Sequence, residues 1–284
     1  MTIITVENSA LVRLLKVTQR KQYVNGKPLS QVHGCILRIG ANRMQTTSLV
    51  RDGVSSLSRF SVPCVSEQAD KADGGATIPV LDIDRLLGIL SMHSTKVRLQ
   101  FKPADGKLVV RSGGKQTTIV SNSNGLAFPN SPSTLQEWEE NSIDKASQIR
   151  PNGYYMNKPY DEVRESFCSW RVESNDLYEA LRCDSINGQR LNRYTFSSEG
   201  AGGTLSVAVG VELKGRTEVL LSESAAMIPD EPWEATFEGG LDNVLVHYTG
   251  PLSLDFIDFR PEGQGIRVII RLPDDDFILQ AGLI

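Results

Sequence analysis

Histidine and cysteine are scarce in this chain of 284 residues, with three of the first and four of the second. Their placement excludes several chemistries. Cys35, Cys64, Cys168 and Cys183 show no CxxC spacing, and none of His33, His93 and His247 stands at ligand spacing from a cysteine or acid. The cysteines read as buried thiols of a reducing compartment rather than a disulfide or metal set. No P-loop, nucleophile elbow or HExxH occurs. No constellation for catalysis emerges, so the reading is a protein that is not an enzyme and needs no cofactor. Absent too are an apolar run of membrane-spanning length and a basic-then-apolar opening, which argues against membrane insertion and export.

What is present is ordinary in bulk and divided in detail. Hydrophobic residues make up 40 % and charged residues 23 %, as in a globular protein, and the length suits two domains that each bury a core. The net charge of −4 hides an asymmetry. Residues 1–121 carry 17 Lys/Arg against 8 Asp/Glu, and residues 167–284 carry 9 against 19. One explanation is drift of solvated surface charge. The other is an anionic partner for the first half, or two halves that attract each other head to tail between chains.

One stretch occurs twice. Glu7-Asn-Ser-Ala-Leu11-Val-Arg-Leu-Leu15-Lys16 and Glu173-Ser-Asn-Asp-Leu177-Tyr-Glu-Ala-Leu181-Arg182 share the acid, both leucines and the closing cation. Each ends a short apolar strand, opens a helix through Ser/Asn/Asp capping residues and precedes an Asn-Gly turn, at Asn25-Gly26 and Asn187-Gly188. Strands follow in both halves, then a second short helix, Ile83 to Leu90 or Leu241 to Tyr248, then more strands. The pattern predicts an α+β fold of two similar domains, 1–121 and 167–284, with antiparallel sheets and helices gathered on one side. Residues 122–166 are Asn/Ser/Pro-rich, then acidic, and read as a connector that packs on a surface or holds a short helix. Trp138, Tyr154 and Tyr155 are its candidate anchors.

At 100° per residue, Leu11, Leu14, Leu15 and Thr18 share one face of the first helix. Arg13, Lys16 and Arg20 fall within about 60° of one another on the opposite face, with Lys21 to the side. Such a stripe is either a helix's wet face or a phosphate-facing surface, and the positive surroundings favour neither decisively. The second copy offers Arg182, with Arg190 beyond the turn. Asp274-Asp-Asp276 reads as an exposed acidic turn in preference to a metal site, and Gly200-Ala-Gly-Gly203 as a hairpin turn.

Two stretches carry a family resemblance. Pro251-Leu-Ser-Leu-Asp-Phe256, followed by Gly265-Ile-Arg-Val-Ile-Ile-Arg-Leu-Pro273-Asp, is similar to the final hairpin of sliding DNA clamps of the proliferating-cell nuclear antigen type. Ile83 to Phe101, a Leu-Leu-x-x-Leu helix leading into a Lys-Val-Arg-Leu strand, resembles the same family. The resemblance implies a homotrimeric ring of six alike domains, sheets outside and helices lining the hole, with the protein cytoplasmic or nucleoid-associated. Strand Lys115 to Ser121 and strand Thr217 to Ser222 are the implied ring-closing edges. Double-stranded DNA would thread the ring without sequence readout, beside Arg13, Lys16, Arg20, Lys21, Arg182 and Arg190. A DNA polymerase would be tethered and a clamp loader would open the ring. Partner peptides would dock in a groove at Pro251, Ile270, Leu272 and Pro273, with Leu126 and Phe128 on the connector side. The alternative is a clamp-like subunit of a hetero-oligomeric replication or repair complex. The long connector, the Lys/Arg-free helix Leu241 to Tyr248 and the apolar tail Phe277 to Ile284 depart from the family pattern, as a divergent viral or phage member would. The tail is expected either to fold back or to recruit a partner.

Overall fold

The computed structural model describes residues 1–24, 27–50, 56–67, 76–93, 95–136, 166–186, 192–200, 203–211, 215–222, 225–263 and 265–283. Arg190, Trp138, Tyr154, Tyr155 and both Asn-Gly dipeptides lie outside the described residues. In the first half, β1 (Thr2–Glu7) runs into α1 (Asn8–Gln19). Then come β2 (Lys21–Val24), β3 (Lys27–Ser30), β4 (Cys35–Ile39), β5 (Arg43–Val50), β6 (Ser56–Pro63), β7 (Val65–Ser66) and β8 (Ala76–Val80). The half closes with α2 (Ile83–Leu90), β9 (Lys96–Lys102), β10 (Lys107–Ser112) and β11 (Lys115–Val120). The second half opens with β12 (Cys168–Glu173) and α3 (Ser174–Ile186), then β13 (Arg193–Ser198), β14 (Leu205–Val211), β15 (Gly215–Ser222), β16 (Ala225–Met227) and β17 (Trp233–Glu238). It ends with α4 (Asp242–Leu245), β18 (Pro251–Asp258), β19 (Ile266–Arg271) and β20 (Phe277–Ala281).

The duplication extends from sequence to contacts. Leu11 and Leu15 of α1 and their counterparts Leu177 and Leu181 of α3 are all buried. The expected N-terminal cap takes a different form in α1, where Glu7 holds the cap position without a side-chain bond. Asn8 Nδ2 instead donates to Leu90 O (2.9 Å) and His93 O (3.2 Å), satisfying carbonyls at the end of α2. Its counterpart Ser174 does the same for the second pair, its Oγ donating to Tyr248 O (3.2 Å) just beyond α4. In both halves the first residue of the long helix therefore locks the end of the short one. Asp82 does cap α2, accepting from Arg85 N at 2.8 Å.

All strand pairs within the sheets are antiparallel. The first half has a run β11-β10-β9-β1-β7 and a run β6-β5-β4-β8; the second has β20-β19-β18-β12-β16 and β15-β14-β13-β17. Pairing of β20 with β6 fuses two of these runs into one nine-stranded sheet crossing both halves. In that seam Phe277 faces Arg59, Ile278 faces Ser58, Leu279 faces Leu57 and Gln280 faces Ser56. So the apolar tail folds back and becomes the joint. The hairpin β2–β3 was not foreseen beyond its turn.

Because alternate residues of a strand point to opposite faces, the nine-stranded sheet serves two cores. Leu37, Phe60, Leu254, Phe256, Val268, Ile270 and Ile278 face inward to the helices. Ile36, Leu49, Leu57, Ile257, Phe259, Ile269, Phe277 and Leu279 face outward, where Leu126 and Leu135 of the connector cover them. Asn130 pins that cover by supplying what a neighbouring strand would. Its Oδ1 accepts from Leu49 N (2.9 Å) and its Nδ2 donates to Leu49 O (3.2 Å).

Candidate nucleic-acid interface

Helix α1 packs on β5 and β6 and also meets both α2 and α4, so its solvent face lies where the two halves join. Leu11, Leu14 and Leu15 are buried, and Thr18 turns its hydroxyl back to Leu14 O at 2.7 Å. Lys16 is exposed and free to meet an anion. Arg13 is half-buried and already engaged. It donates to Ser61 O (3.2 Å), lies 3.6 Å from Asp274 Oδ2 and covers the Tyr248 ring at 5.2 Å.

Arg20 is not part of the stripe. It is 1 % exposed and donates through Nη1 to the hydroxyl of Ser56. The physical reason is that α1 ends at Gln19: Arg20 takes a left-handed conformation (φ +47°), so helical phase no longer places its side chain. The guanidinium enters the seam between the halves, where Tyr194 OH donates to Gln280 Oε1 (2.6 Å). Burial lowers its pKa from the usual arginine value, with the nearby Tyr194 acting in the opposite direction. Gly239 lies against the same group; a Cβ there would stand 3.3 Å from Arg20 Nη2.

Lys21, at the start of β2, is half-buried, and its carbonyl accepts from Asn243 Nδ2 at 2.9 Å. Gly240 approaches that carbonyl so closely that a Cβ would fall 1.8 Å from it. Arg182 is exposed on α3 but lies 3.3 Å from Glu179 and 5.4 Å over Tyr178, which offsets part of its charge.

A residue that the helix pattern did not single out joins this surface. His247, just past α4, is held below the ordinary histidine pKa, first by burial and then by Lys16 and Arg13. Its position opposite the buried row Leu241, Val244, Leu245 and Tyr248 was the available signal. Lys16 and Arg13 of the first half thus gather positive potential beside His247 of the second, and that potential favours the uncharged imidazole.

The aspartate turn clasps the two halves of the chain together. Asp274 and Asp275 adopt left-handed conformations, Asp274 near Arg13 and Asp275 3.6 Å from Arg43. Asp276 is buried, contrary to an exposed acidic turn. It accepts from Ser61 Oγ (2.8 Å) and Tyr248 OH (2.6 Å), and burial raises its pKa despite those bonds. Among the cysteines, Cys35, Cys64 and Cys168 are buried, while Cys183 is only partly so. Burial pushes the thiols of Cys35 and Cys64 up to about 12 and about 11, leaving them protonated and unreactive.

No family model matches the chain, and no curated protein does. Solved structures match along its whole length. The C. crescentus beta sliding clamp aligns with TM-score 0.61 at 14 % identity, covering 99 % of this chain and 66 % of that one. A. fulgidus PCNA, solved with the C-terminal region of FEN-1, aligns with TM-score 0.60 at 12 % identity, covering 100 % and 99 %. The chain has the sliding-clamp fold. The Helicobacter pylori beta clamp bound to a DNA ligase peptide aligns similarly, with TM-score 0.58 at 13 % identity over 99 % of this chain and 66 % of that one. The chain therefore spans just under two thirds of those beta clamps and nearly the full length of the PCNA.

The six groove residues do not share one surface of the chain. Leu126 joins the outer cluster, whereas Ile270 and Leu272 belong to the inner core. The error is one of strand parity: on β19 the outward residue is Ile269. Pro251 is exposed opposite Glu173 at the start of β18, and Pro273 is half-buried where the aspartate turn begins. Phe128 stands 59 % exposed between Leu126 and Asn130, both of which are fixed on the outer face.

Proposed function

We propose that three copies of this chain close head to tail into a ring that encloses duplex DNA and tethers a DNA polymerase, with no catalysis of its own. The observation that carries this reading is a pair of matching bare edges. Within one chain the run β12-β18-β19-β20 ends on β20, which pairs with β6, the end of β8-β4-β5-β6. The equivalent run of the first half, β1-β9-β10-β11, ends on β11, and the equivalent run of the second half, β17-β13-β14-β15, ends on β15. Neither has an outer neighbour among the described residues. Joining β11 of one copy to β15 of the next repeats the seam already built between β20 and β6.

Open edges of this length invite aggregation unless something covers them. Val120 on β11 and Leu220 on β15 are 62 % and 52 % exposed, apolar groups that a neighbour would bury. The contact would bring the basic first half against the acidic second half of the next chain and disfavour like-to-like dimers.

In such a ring Lys16, Arg13 and His247 form the DNA-facing cluster, with Lys21, Arg182 and Arg190 as further phosphate contacts. A loader that opens the seam is expected, because a closed ring cannot otherwise admit circular DNA. Since the related clamps were solved with FEN-1 and DNA ligase peptides, we place a peptide-docking site on the connector side, at Phe128 beside Leu126. Native mass measurement at micromolar concentration, with low-resolution imaging, tests the reading. The expected result is a mass three times that of the 31.2 kDa chain and a central hole. A monomer that DNA does not assemble, or a solid particle, overturns it. Assembly only with a different chain would favour the hetero-oligomeric alternative.

A further inference from the structure

The duplicated module provides an internal comparison. The outward face of β18, β19 and β20 carries Ile257, Ile269, Phe277 and Leu279, covered by the connector, together with Arg267, buried over Phe259, and Arg271, paired with Asp255 at 2.7 Å. The equivalent face of β9, β10 and β11 presents Lys96, Arg98, Gln100 and Lys102 on the first strand and Lys107, Val109 and Arg111 on the second. Gln116, Thr118 and Val120 follow on the third. The same architecture has thus been covered in one half, with its two arginines buried or ion-paired, and left open and basic in the other.

Register concentrates that charge. Arg98 lies directly opposite Arg111, and Lys102 directly opposite Lys107. Like charges directly opposite on neighbouring strands are destabilising. One member of each pair has an acid, Glu67 at 2.7 Å from Arg98 and Asp105 at 3.8 Å from Lys102. Among the described residues, Arg111 and Lys107 have none. A shallow cleft of about 550 Å³ crosses the face, lined by Thr5, Lys96, Arg98, Arg111, Lys115 and Gln116.

We propose that this outer face of the first half binds the phosphate backbone of a nucleic-acid strand that lies outside the enclosed duplex. Lys96, itself 3.5 Å from Glu7, and Arg98 stand about 6.6 Å apart along β9, a spacing that lets two consecutive phosphates each meet one, with Gln100 separating them from Lys102. Among the described residues the face lacks the deep apolar pocket that anchors a protein partner; its outward apolar residues near the cleft are Ile3 and Val109, both half-buried, and Val65, exposed opposite Thr5. Its described residues offer no aromatic ring for base stacking, so binding is independent of sequence and sensitive to salt. The site lies on the sheet, away from the solvent face of α1, and does not depend on ring closure.

The test compares the intact chain with Arg98→Gln/Lys107→Gln/Arg111→Gln, using a short fluorescein-labelled oligothymidylate as probe. Anisotropy titrations across a salt series should show at least a tenfold loss of low-salt affinity in the variant. The log–log salt slope should become shallower by about 2, at roughly 0.7 per lost single-strand contact. Retention on circular duplex DNA, which reads enclosure, should survive in the triple variant, so failure of the ring and failure of this site are separable. An unchanged slope overturns the proposal. So does tighter binding of polyglutamate than of oligothymidylate, which would assign the face to an acidic protein. A change in oligomeric mass in the variant would also overturn it, assigning the cations to the contact between copies. Matching circular-dichroism spectra and melting curves establish that the variant is folded.

Discussion

Lys16 and Arg20 are one helical turn apart and meet opposite fates, because the helix stops between them. Lys16 should contribute to duplex binding: Lys16→Ala is expected to make the log–log salt slope shallower by about 0.9, whereas Arg20→Met should leave it unchanged. Measured by urea unfolding, Arg20→Met should be close to neutral, since an apolar side chain of similar length replaces a guanidinium that burial disfavours. Arg20→Ala should lose about 2 kcal/mol or more through the cavity it leaves. His247 supplies a pH dependence whose sign follows from its depressed pKa. The unfolded chain takes up the proton first, so the stability from neutral His247 is present above the ordinary value near 6.5 and is lost as pH falls through the folded value. Thermal melts between pH 7.5 and 5 should therefore fall less steeply in His247→Gln than in the parent chain. An identical slope would remove His247 from its buried site beside Lys16 and Arg13.

At the scale of elements, legibility followed the range of the signal. The apolar periodicity of α1 and the Asp82 cap of α2 are local, and the structure realises both. The partners of Asn8 and Ser174 are remote, and no local rule indicates that these side chains serve another helix. The face of Ile270 was equally hidden, because Gly265-Ile-Arg-Val-Ile-Ile-Arg271 has apolar residues at adjacent positions and so no unique alternation. Only the inner and outer cores show that Ile269 and Ile270 point apart. The connector's attachment yields a direct measurement. Asn130→Ala strips both partners from the Leu49 backbone and should cost about 2 kcal/mol in chemical unfolding. Amide exchange should rise most at Leu49, and a uniform rise along β5 would instead mean that the whole cover has lifted.

For the whole molecule, the decisive elements are the two bare edges. If β11 and β15 close the ring, Val120→Lys combined with Leu220→Lys should shift the assembly toward monomer in sedimentation at micromolar concentration. The monomer's melting temperature should barely change, because both side chains are already exposed. A trimer that persists would locate the closing contact elsewhere. The same logic explains the seam inside the chain, where the pairing of β20 with β6 is reinforced by the aspartate turn holding Arg13, Arg43 and Ser61.

The sequence by itself determined the duplicated strand-and-helix order, the buried leucines of both long helices and the division of charge, because capping, periodicity and composition act over a few residues. Tertiary structure alone decided that Arg20 would be buried, that the tail would become a strand between the halves and that one copy's outer face would be covered while the other stayed basic. Those outcomes depend on contacts between residues distant in the chain, from Leu49 with Asn130 to Phe277 with Arg59. Such pairings are fixed by the joint burial of two distant surfaces, and neither surface carries enough local pattern to specify its mate.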